Sequence, residues 1–356
     1  MGGPRRVRYR SDVLVVVVES REGLLMSRIL VVGGAGYIGS HMMKALARAG
    51  HEPVAFDNLS TGHADAVICG ELVEGDLANR ELVADVIKQG RFDGVMHFAS
   101  NIEVGESVTN PRKYYTNNVL NTLNLVHAMM DHGLNNLIFS STAAVYGTPD
   151  YTPVDEDHPR RPINPYGHSK HIIETVLEDY RDAHGLSSTS LRYFNAAGAD
   201  PDGELGERHE PESHLIPLVI QAALGQRPEI KIYGTGYETP DGTCVRDYVH
   251  VTDLCDAHLL AMDRLMDGDK GRAYNLGNGE GFSVREVIEA VREVSGQSFT
   301  VTETGPRPGD PGVLVADASR AKVELSWSPR LDRLSQIVGD AWNFYRHRDE
   351  RKHLAV

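Results

Sequence analysis

The stretch RILVVGGAGYIGSH, residues 28–41, constrains this chain more than any other. A β-branched apolar run breaks into glycines and then resumes with helix-forming residues, the pattern of a strand feeding a helix through a bare turn. Gly33, Gly34, Gly36 and Gly39 need a specific reason there, because glycine loses the most backbone freedom on folding and has no side chain to pack. Close approach of a ligand to the backbone supplies one.

The pattern continues downstream. YIGSHMMKALARAG reads as a helix closed by Gly50, and EPVAFDN as a second strand, which completes one βαβ unit. Further apolar runs follow at ELVEGD, DGVMHFAS, NNLIFSST and STSLRYFN, with helical patterns that include Arg112 to His132 and Tyr166 to His184. Such alternation predicts an α/β fold, a doubly wound parallel sheet covered by helices on both faces. After about Ala196, Gly, Pro and charged residues become frequent, as in GADPDGELGERHEPESH, and a smaller C-terminal substrate-binding lobe is expected. The division is therefore residues 26–195 for the sheet domain, with segments around 247–275 returning to it, 196–345 for the second lobe and 346–356 for a tail. Residues 1–25, with a basic start and the short apolar run Val13 to Val18, have neither the length of a membrane span nor a small-residue cleavage site. They are read as a non-core extension.

The 356 residues are 41% hydrophobic and 24% charged, enough material for a large core. A net charge of −14 argues against nucleic acid or an anionic membrane as the partner, while leaving room for a local arginine cluster that holds a small anion. Cys69, Cys244 and Cys255 lie far apart without CxxC spacing, so no disulfide framework and no metal site is expected, and a cytoplasmic location is.

In this context the glycines fit two spacings, GxGxxG from Gly34 and GxxGxxG through Gly33, Gly36 and Gly39, both between strand and helix. A backbone without side chains can touch a pyrophosphate while the helix N-terminus offers N–H donors and a favourable dipole. Asp57 closes the second strand 18 residues after Gly39. An acid there accepts hydrogen bonds from a ribose and repels a ribose phosphate, which favours NAD over NADP.

A second constellation carries chemistry. Tyr166 and Lys170, four residues apart in NPYGHSKHIIETVLEDY, share one helix face, with Pro165 placed at the helix start. Ser140, Ser141 and Thr142 end an apolar strand, where open parallel sheets bind ligands.

Together these features resemble the extended short-chain dehydrogenase/reductase family. The stretches FDNLSTGH, VGESVTNPRKYYTNN, LRYFNAAGAD, DGTCVRDYVHVTDL and RPGDPGVLVADASRA are similar to those of its UDP-glucose 4-epimerase branch, over about Met26 to Tyr345. The resemblance implies a Rossmann domain and NAD held by Gly33, Gly36, Tyr37, Ile38 and Gly39, with Asp57 and Asn58 at the ribose and Asp76 and Leu77 at the adenine. Phe98, Ala99, Ser100, Asn117 and Phe194 would line the cofactor together with Tyr166 and Lys170. Thr142, Tyr166 and Lys170 would do the chemistry, and Asn195, Leu215, Arg246, Arg307 and Asp310 would hold the UDP part. Arginine suits a diphosphate because its planar fork pairs donors with two oxygens. Four positions depart from the common pattern: Val32 and Thr142 replace threonine and serine, Ile102 a lysine near the cofactor, and His214 an asparagine near the uridine.

The implied reaction interconverts UDP-glucose and UDP-galactose through a 4-keto sugar, with Tyr166 as base and NAD staying bound. A base near neutrality needs the tyrosine pKa of about 10 lowered by about 3 units, roughly 4 kcal/mol. A lysine at about 5 Å in an effective dielectric near 20 supplies roughly 3 kcal/mol, and the positive nicotinamide the remainder. Alternatives are UDP-xylose/UDP-arabinose or UDP-N-acetylhexosamine epimerisation, a 4,6-dehydratase, and a non-catalytic NAD-binding regulator. A dehydratase of this kind carries an Asp-Glu pair after the threonine, where this chain has Ala143 and Ala144. Leu314, four residues after Asp310, is either a gate beside the hexose or ordinary strand packing. A homodimer through the helices at Arg112 to His132 and Tyr166 to His184 is expected.

Overall fold

The computed structural model describes residues 26–307 and 310–354, so the extension 1–25 lies outside the described residues. The six apolar runs of the first half form β1 (Arg28–Val32), β2 (Glu52–Asp57), β3 (Glu71–Glu74), β4 (Gly94–His97), β5 (Asn136–Thr142) and β6 (Ser187–Tyr193). Shorter strands follow: β7 (Asn195–Ala197), β8 (Ile230–Tyr233), β9 (Val245–His250), β10 (Ala273–Leu276), β11 (Gly281–Ser283), β12 (Val301–Thr304) and β13 (Val313–Leu314). The helices are α1 (Tyr37–Arg48), α2 (Arg80–Gly90), α3 (Val104–Thr109), α4 (Pro111–Tyr114), α5 (Thr122–Asp131), α6 (Pro165–His184), α7 (Leu215–Ala223), α8 (Val251–Met266), α9 (Val284–Ser295), α10 (Ser319–Glu324) and α11 (Leu334–Leu354).

Seven strands make one parallel sheet in the order β10-β6-β5-β4-β1-β2-β3. Chain order reverses between β1 and β4, and in open sheets that switch point opens a crevice at the carboxyl ends of the strands. Ile29 to Val32 are at most 1% exposed because each face of β1 is covered. Ile29 and Val31 pack with Met42, Met43 and Leu46 of α1 and Leu254 and Ala257 of α8. Leu30 and Val32 pack with α2, α5 and α6 through Val83, Leu125 and Ile173. Burial on both faces explains why the strand reads as a continuous apolar run rather than an alternating one.

A further core joins Ile216 and Val219 of α7, Val287 and Ile288 of α9, and Ile337 and Trp342 of α11. Beside it, β11-β9-β13 form a small sheet with β7 paired to β9, while β12 pairs with β8. Residues 346–354, read from sequence as a tail, continue α11. Phe344 and Tyr345 are buried in this core, and no Pro or Gly follows to stop the helix. Among the described residues no helix is long and apolar enough to cross a membrane.

The single helix expected over Arg112 to His132 is interrupted. Between α4 and α5, residues Tyr115–Asn121 take π-helical geometry. Buried Asn118 explains the widened turn: it donates to the Asn101 carbonyl and to Ser169 Oγ of α6, and its side-chain oxygen accepts from the Asn101 N–H. One extra residue in the turn lets this side chain lace the loop after β4 to α6.

Candidate active site

The glycine turn closes β1. Gly33 has φ +82°, and a Cβ on it would meet the Ala99 nitrogen at 2.6 Å. A Cβ on Gly39 would lie 2.1 Å from the Gly33 carbonyl oxygen, so this glycine lets α1 seat against the turn. Gly36 is different: its φ is −80°, and a Cβ there would meet only the Gly33 oxygen, at 3.3 Å. The protein alone barely requires glycine at that position. The open space in front of it, at the start of a helix with no side-chain cap and no acid in its first turn, fits a bound anion such as a pyrophosphate.

The neighbouring residues extend this cradle. Asp57 is buried at the end of β2, its carboxylate accepting from the backbone N–H of Ala35 at 2.9 Å and of Leu59 at 2.8 Å. Asn58 donates to Asp76 at 2.7 Å, and the Leu77 carbonyl accepts from Asn124 at 2.9 Å. The Phe98 N–H donates to the Val32 carbonyl, which lays Phe98 and Ala99 over Gly33. Tyr37 and Ile38 can offer only backbone here. The Tyr37 phenol donates to the Gly198 carbonyl at 2.8 Å, and Ile38 packs against the sheet core.

The three candidate catalytic side chains meet across β5 and α6. Asn164 caps α6 by accepting from the Gly167 N–H at 2.9 Å, with Pro165 at the first helical position, and this presents Tyr166 toward the strand end. The strand hydroxyls diverge, as alternation along a strand requires. Ser141 donates to buried Glu174 at 2.5 Å, whereas Thr142 hydrogen-bonds the Tyr166 phenol. Only Thr142 of the three therefore serves the tyrosine. Lys170, 1% exposed, donates to Ser100 Oγ at 2.6 Å and to the Ser140 carbonyl at 2.8 Å.

Burial raises the Tyr166 phenol above its ordinary value, and the Thr142 hydrogen bond opposes that rise. Burial also pulls Lys170 down to about 7, opposed by the Glu174 carboxylate. A lysine desolvated this far holds its positive charge only partly at neutrality.

At the other end the candidate substrate residues gather by long-range pairing. Arg246 of β9 forms an ion pair with Asp310 and donates to its neighbour's carbonyl. Leu314 of β13 stands in register with Arg246 and packs with Phe194 against Ala143, Val145, Tyr146 and Val154, just beyond Thr142. Asn195 donates to the Asp247 carbonyl at 2.9 Å, and Leu215 opens α7 and packs on its core. Arg307 is exposed, its guanidinium 4.1 Å from the Tyr233 ring centroid. Asn117 donates to the Asn118 side chain at 3.0 Å inside the π turn. His214 turns to Glu207 and Glu212.

Residues 29–277 match the NAD dependent epimerase/dehydratase family. The chain belongs to that family. It is 49% identical over 324 residues to a UDP-glucose 4-epimerase of Rhizobium meliloti (strain 1021), covering 91% of this chain and 98% of that one. The crystal structure of a UDP-glucose 4-epimerase from Brucella ovis in complex with NAD is similar, with TM-score 0.88 and 47% identity, covering 89% and 98% of the two chains. A UDP-Glc/GlcNAc 4-epimerase from Campylobacter jejuni is similar at TM-score 0.80 and 43% identity, covering 90% and 99%.

In this member of the epimerase/dehydratase family, two supporting residues escaped the sequence reading. Glu174, one helical turn after Lys170, takes two hydrogen bonds from Arg192 at 2.9 and 2.7 Å and one from Ser141. Burial works against its charge, but Arg192, Ser141 and Arg160 hold its carboxyl below the usual range. Its position four residues from Lys170 was the available signal. Asp247, beside Arg246, accepts from the N–H groups of Asn278, Gly279 and Ala316, which ties β9 to two loops. No periodic pattern announces such a knot.

Proposed function

We propose that this chain interconverts UDP-glucose and UDP-galactose as an NAD-dependent 4-epimerase. The observation that carries this reading is the Thr142–Tyr166 hydrogen bond beside buried Lys170, followed by Ala143 and Ala144. Oxidation at a sugar hydroxyl has its base and its oxygen-binding partner, and elimination has neither acid nor base. Tyr166 takes the proton from the sugar O4 while Thr142 hydrogen-bonds that oxygen. Lys170 holds Ser100 and the end of β5 in place and takes up or releases charge near neutral pH. When bound, NAD supplies the hydride acceptor at C4 and a positive charge that favours the phenolate. Gly33, Gly36 and Gly39 admit its pyrophosphate, with Asp57 and Asn58 at the ribose.

Arg246, Arg307 and Asp310 anchor the UDP part, so that the 4-keto sugar can turn without leaving. Leu314 is smaller and more flexible than an aromatic gate, which supports weak turnover of N-acetylated sugars beside the preferred hexoses. Two helix faces support a homodimer: Val104, Val108, Tyr115 and Leu120 near α3–α5 and Ile172 on α6 are exposed apolar side chains. A cytoplasmic setting suits the free thiols of Cys69, Cys244 and Cys255. A turnover panel of UDP-galactose, UDP-xylose and UDP-N-acetylglucosamine tests the proposal. Conversion of UDP-galactose is expected to lead, and failure on every UDP-sugar despite bound NAD would instead favour a regulatory role.

A further inference from the structure

The loop between β7 and α7 holds two acidic clusters that differ in what fills them. Asp200, Asp202 and Glu204 surround the Lys44 ammonium at 2.6, 2.9 and 2.6 Å, so an internal cation already occupies that cluster. A few residues on, Glu207, His209, Glu212 and His214 bring one ligand atom each within 4.8 Å of one another. His214 Nδ1 lies 2.8 Å from Glu207 Oε1 and 3.2 Å from Glu212 Oε1, and His209 Nδ1 lies 3.0 Å from Glu207 Oε1. Among the described residues no Lys or Arg forms an ion pair with Glu207 or Glu212. Glu207 is nevertheless 4% exposed.

Without a metal, Glu207 and Glu212 favour the charged form of His214; an ion that displaced the imidazole protons would meet two carboxylates and two imidazoles, a charge of −2 that one divalent cation neutralises. Donor atoms about 3.3 Å apart are the edge of a tetrahedron with zinc–ligand bonds of about 2.0–2.1 Å; the His–Glu spacings of 2.8, 3.0 and 3.2 Å lie at or just below that edge, and all four donors lie within 4.8 Å of one another. Imidazole and carboxylate together suit a first-row transition ion better than calcium or magnesium, which prefer oxygen alone. Since the protein supplies all four donors, the site is closed in the manner of structural rather than catalytic zinc. Its surroundings agree with a structural role. The His209 ring lies edge-on to Tyr37 at the start of α1, with centroids 6.5 Å apart, and the Tyr345 phenol of α11 approaches Glu212 at 3.4 Å.

We propose that Glu207, His209, Glu212 and His214 form a four-ligand site for a divalent transition-metal ion such as zinc, which staples the loop between α1 and α11. The proposal does not depend on which sugar the enzyme turns over. Chelator-treated full-length protein titrated with zinc chloride is expected to take up about one ion per chain and to melt several degrees higher. Cobalt chloride should give the visible bands of a tetrahedral ion. The double variant His209→Ala, His214→Asn should lose the tight uptake and the melting shift, while Asp202→Asn in the neighbouring cluster should keep both. Zinc uptake by wild type no tighter than by the double variant, or its loss in Asp202→Asn alone, would overturn the assignment. The wild-type titration decides the matter even if the double variant folds poorly.

Discussion

At the reacting end, Thr142 closes a strand of 7 residues and Tyr166 and Lys170 lie on a helix of 20; at the nucleotide end, Arg246 and Leu314 sit on strands of 6 and 2 residues, and Asp310 lies outside any strand or helix. The first group is fixed by the parallel sheet and by fully used polar atoms, with Lys170, Ser100, Ser141 and Glu174 all hydrogen-bonded. The second rests on one partly exposed ion pair and a short β13 edge. On the proposed function, chemistry is built on the rigid part and specificity on the adjustable part. Side chains placed by long elements are held more exactly than those on loops, which is where a family can vary its substrate without rebuilding its base.

Mutations at the two ends should separate these roles. Tyr166→Phe removes only the titrating oxygen and should lower kcat by about 10²–10⁴-fold while UDP and NAD still bind, as steady-state rates beside equilibrium binding would reveal. Near-normal turnover would remove Tyr166 from its role. Arg246→Ala should act mainly on KM, raising it roughly 10- to 150-fold for the loss of a charged hydrogen bond of about 1.5–3 kcal/mol, with kcat nearly kept. A fall in kcat alone would mean that the two ends are not separable.

Leu314→Tyr is the finer probe. A steric change in an apolar pocket shifts discrimination by roughly 1–3 kcal/mol, so the variant should lose activity on N-acetylated sugars while keeping the hexoses. A proportional fall in kcat/KM for both sugar types would make Leu314 a packing residue of the cluster around Tyr146. Acid should expose the sheet side. Burial lowers His41 and His258 to about 4 and His97 to about 3. The unfolded chain therefore binds more protons below the ordinary histidine value of about 6.5, and stability falls as pH drops from there toward 4. Each histidine contributes about 1.4 kcal/mol per pH unit at most, which melting curves across this window would detect. A flat profile would mean that these rings find proton acceptors on opening.

Those residues also mark what could be read from the sequence. The glycine turn, Asp57 and the Tyr166–Lys170 pair were legible because each is local: a turn, a strand end and a helical spacing. Residue-level roles were harder wherever two distant segments meet. Asp247 draws in three N–H groups from 278, 279 and 316, and Asn118 widens a helix to reach Asn101 and Ser169. Neither leaves a periodic trace. The burial of Lys170 also left no local trace, because the groups that desolvate it come from elements distant in sequence. The His and Glu cluster of 207–214 is not legible in the sequence, because a loop has no period that brings its side chains together.

On the proposed function, C4 is oxidised and re-reduced within one site, its hydrogen moving as hydride rather than as an exchangeable proton. Epimerisation of UDP-galactose in D2O, followed by NMR of the UDP-glucose formed, tests this directly. C4 is expected to keep its protium through many turnovers, because Tyr166 exchanges only the O4 proton. Deuterium at C4 would contradict it.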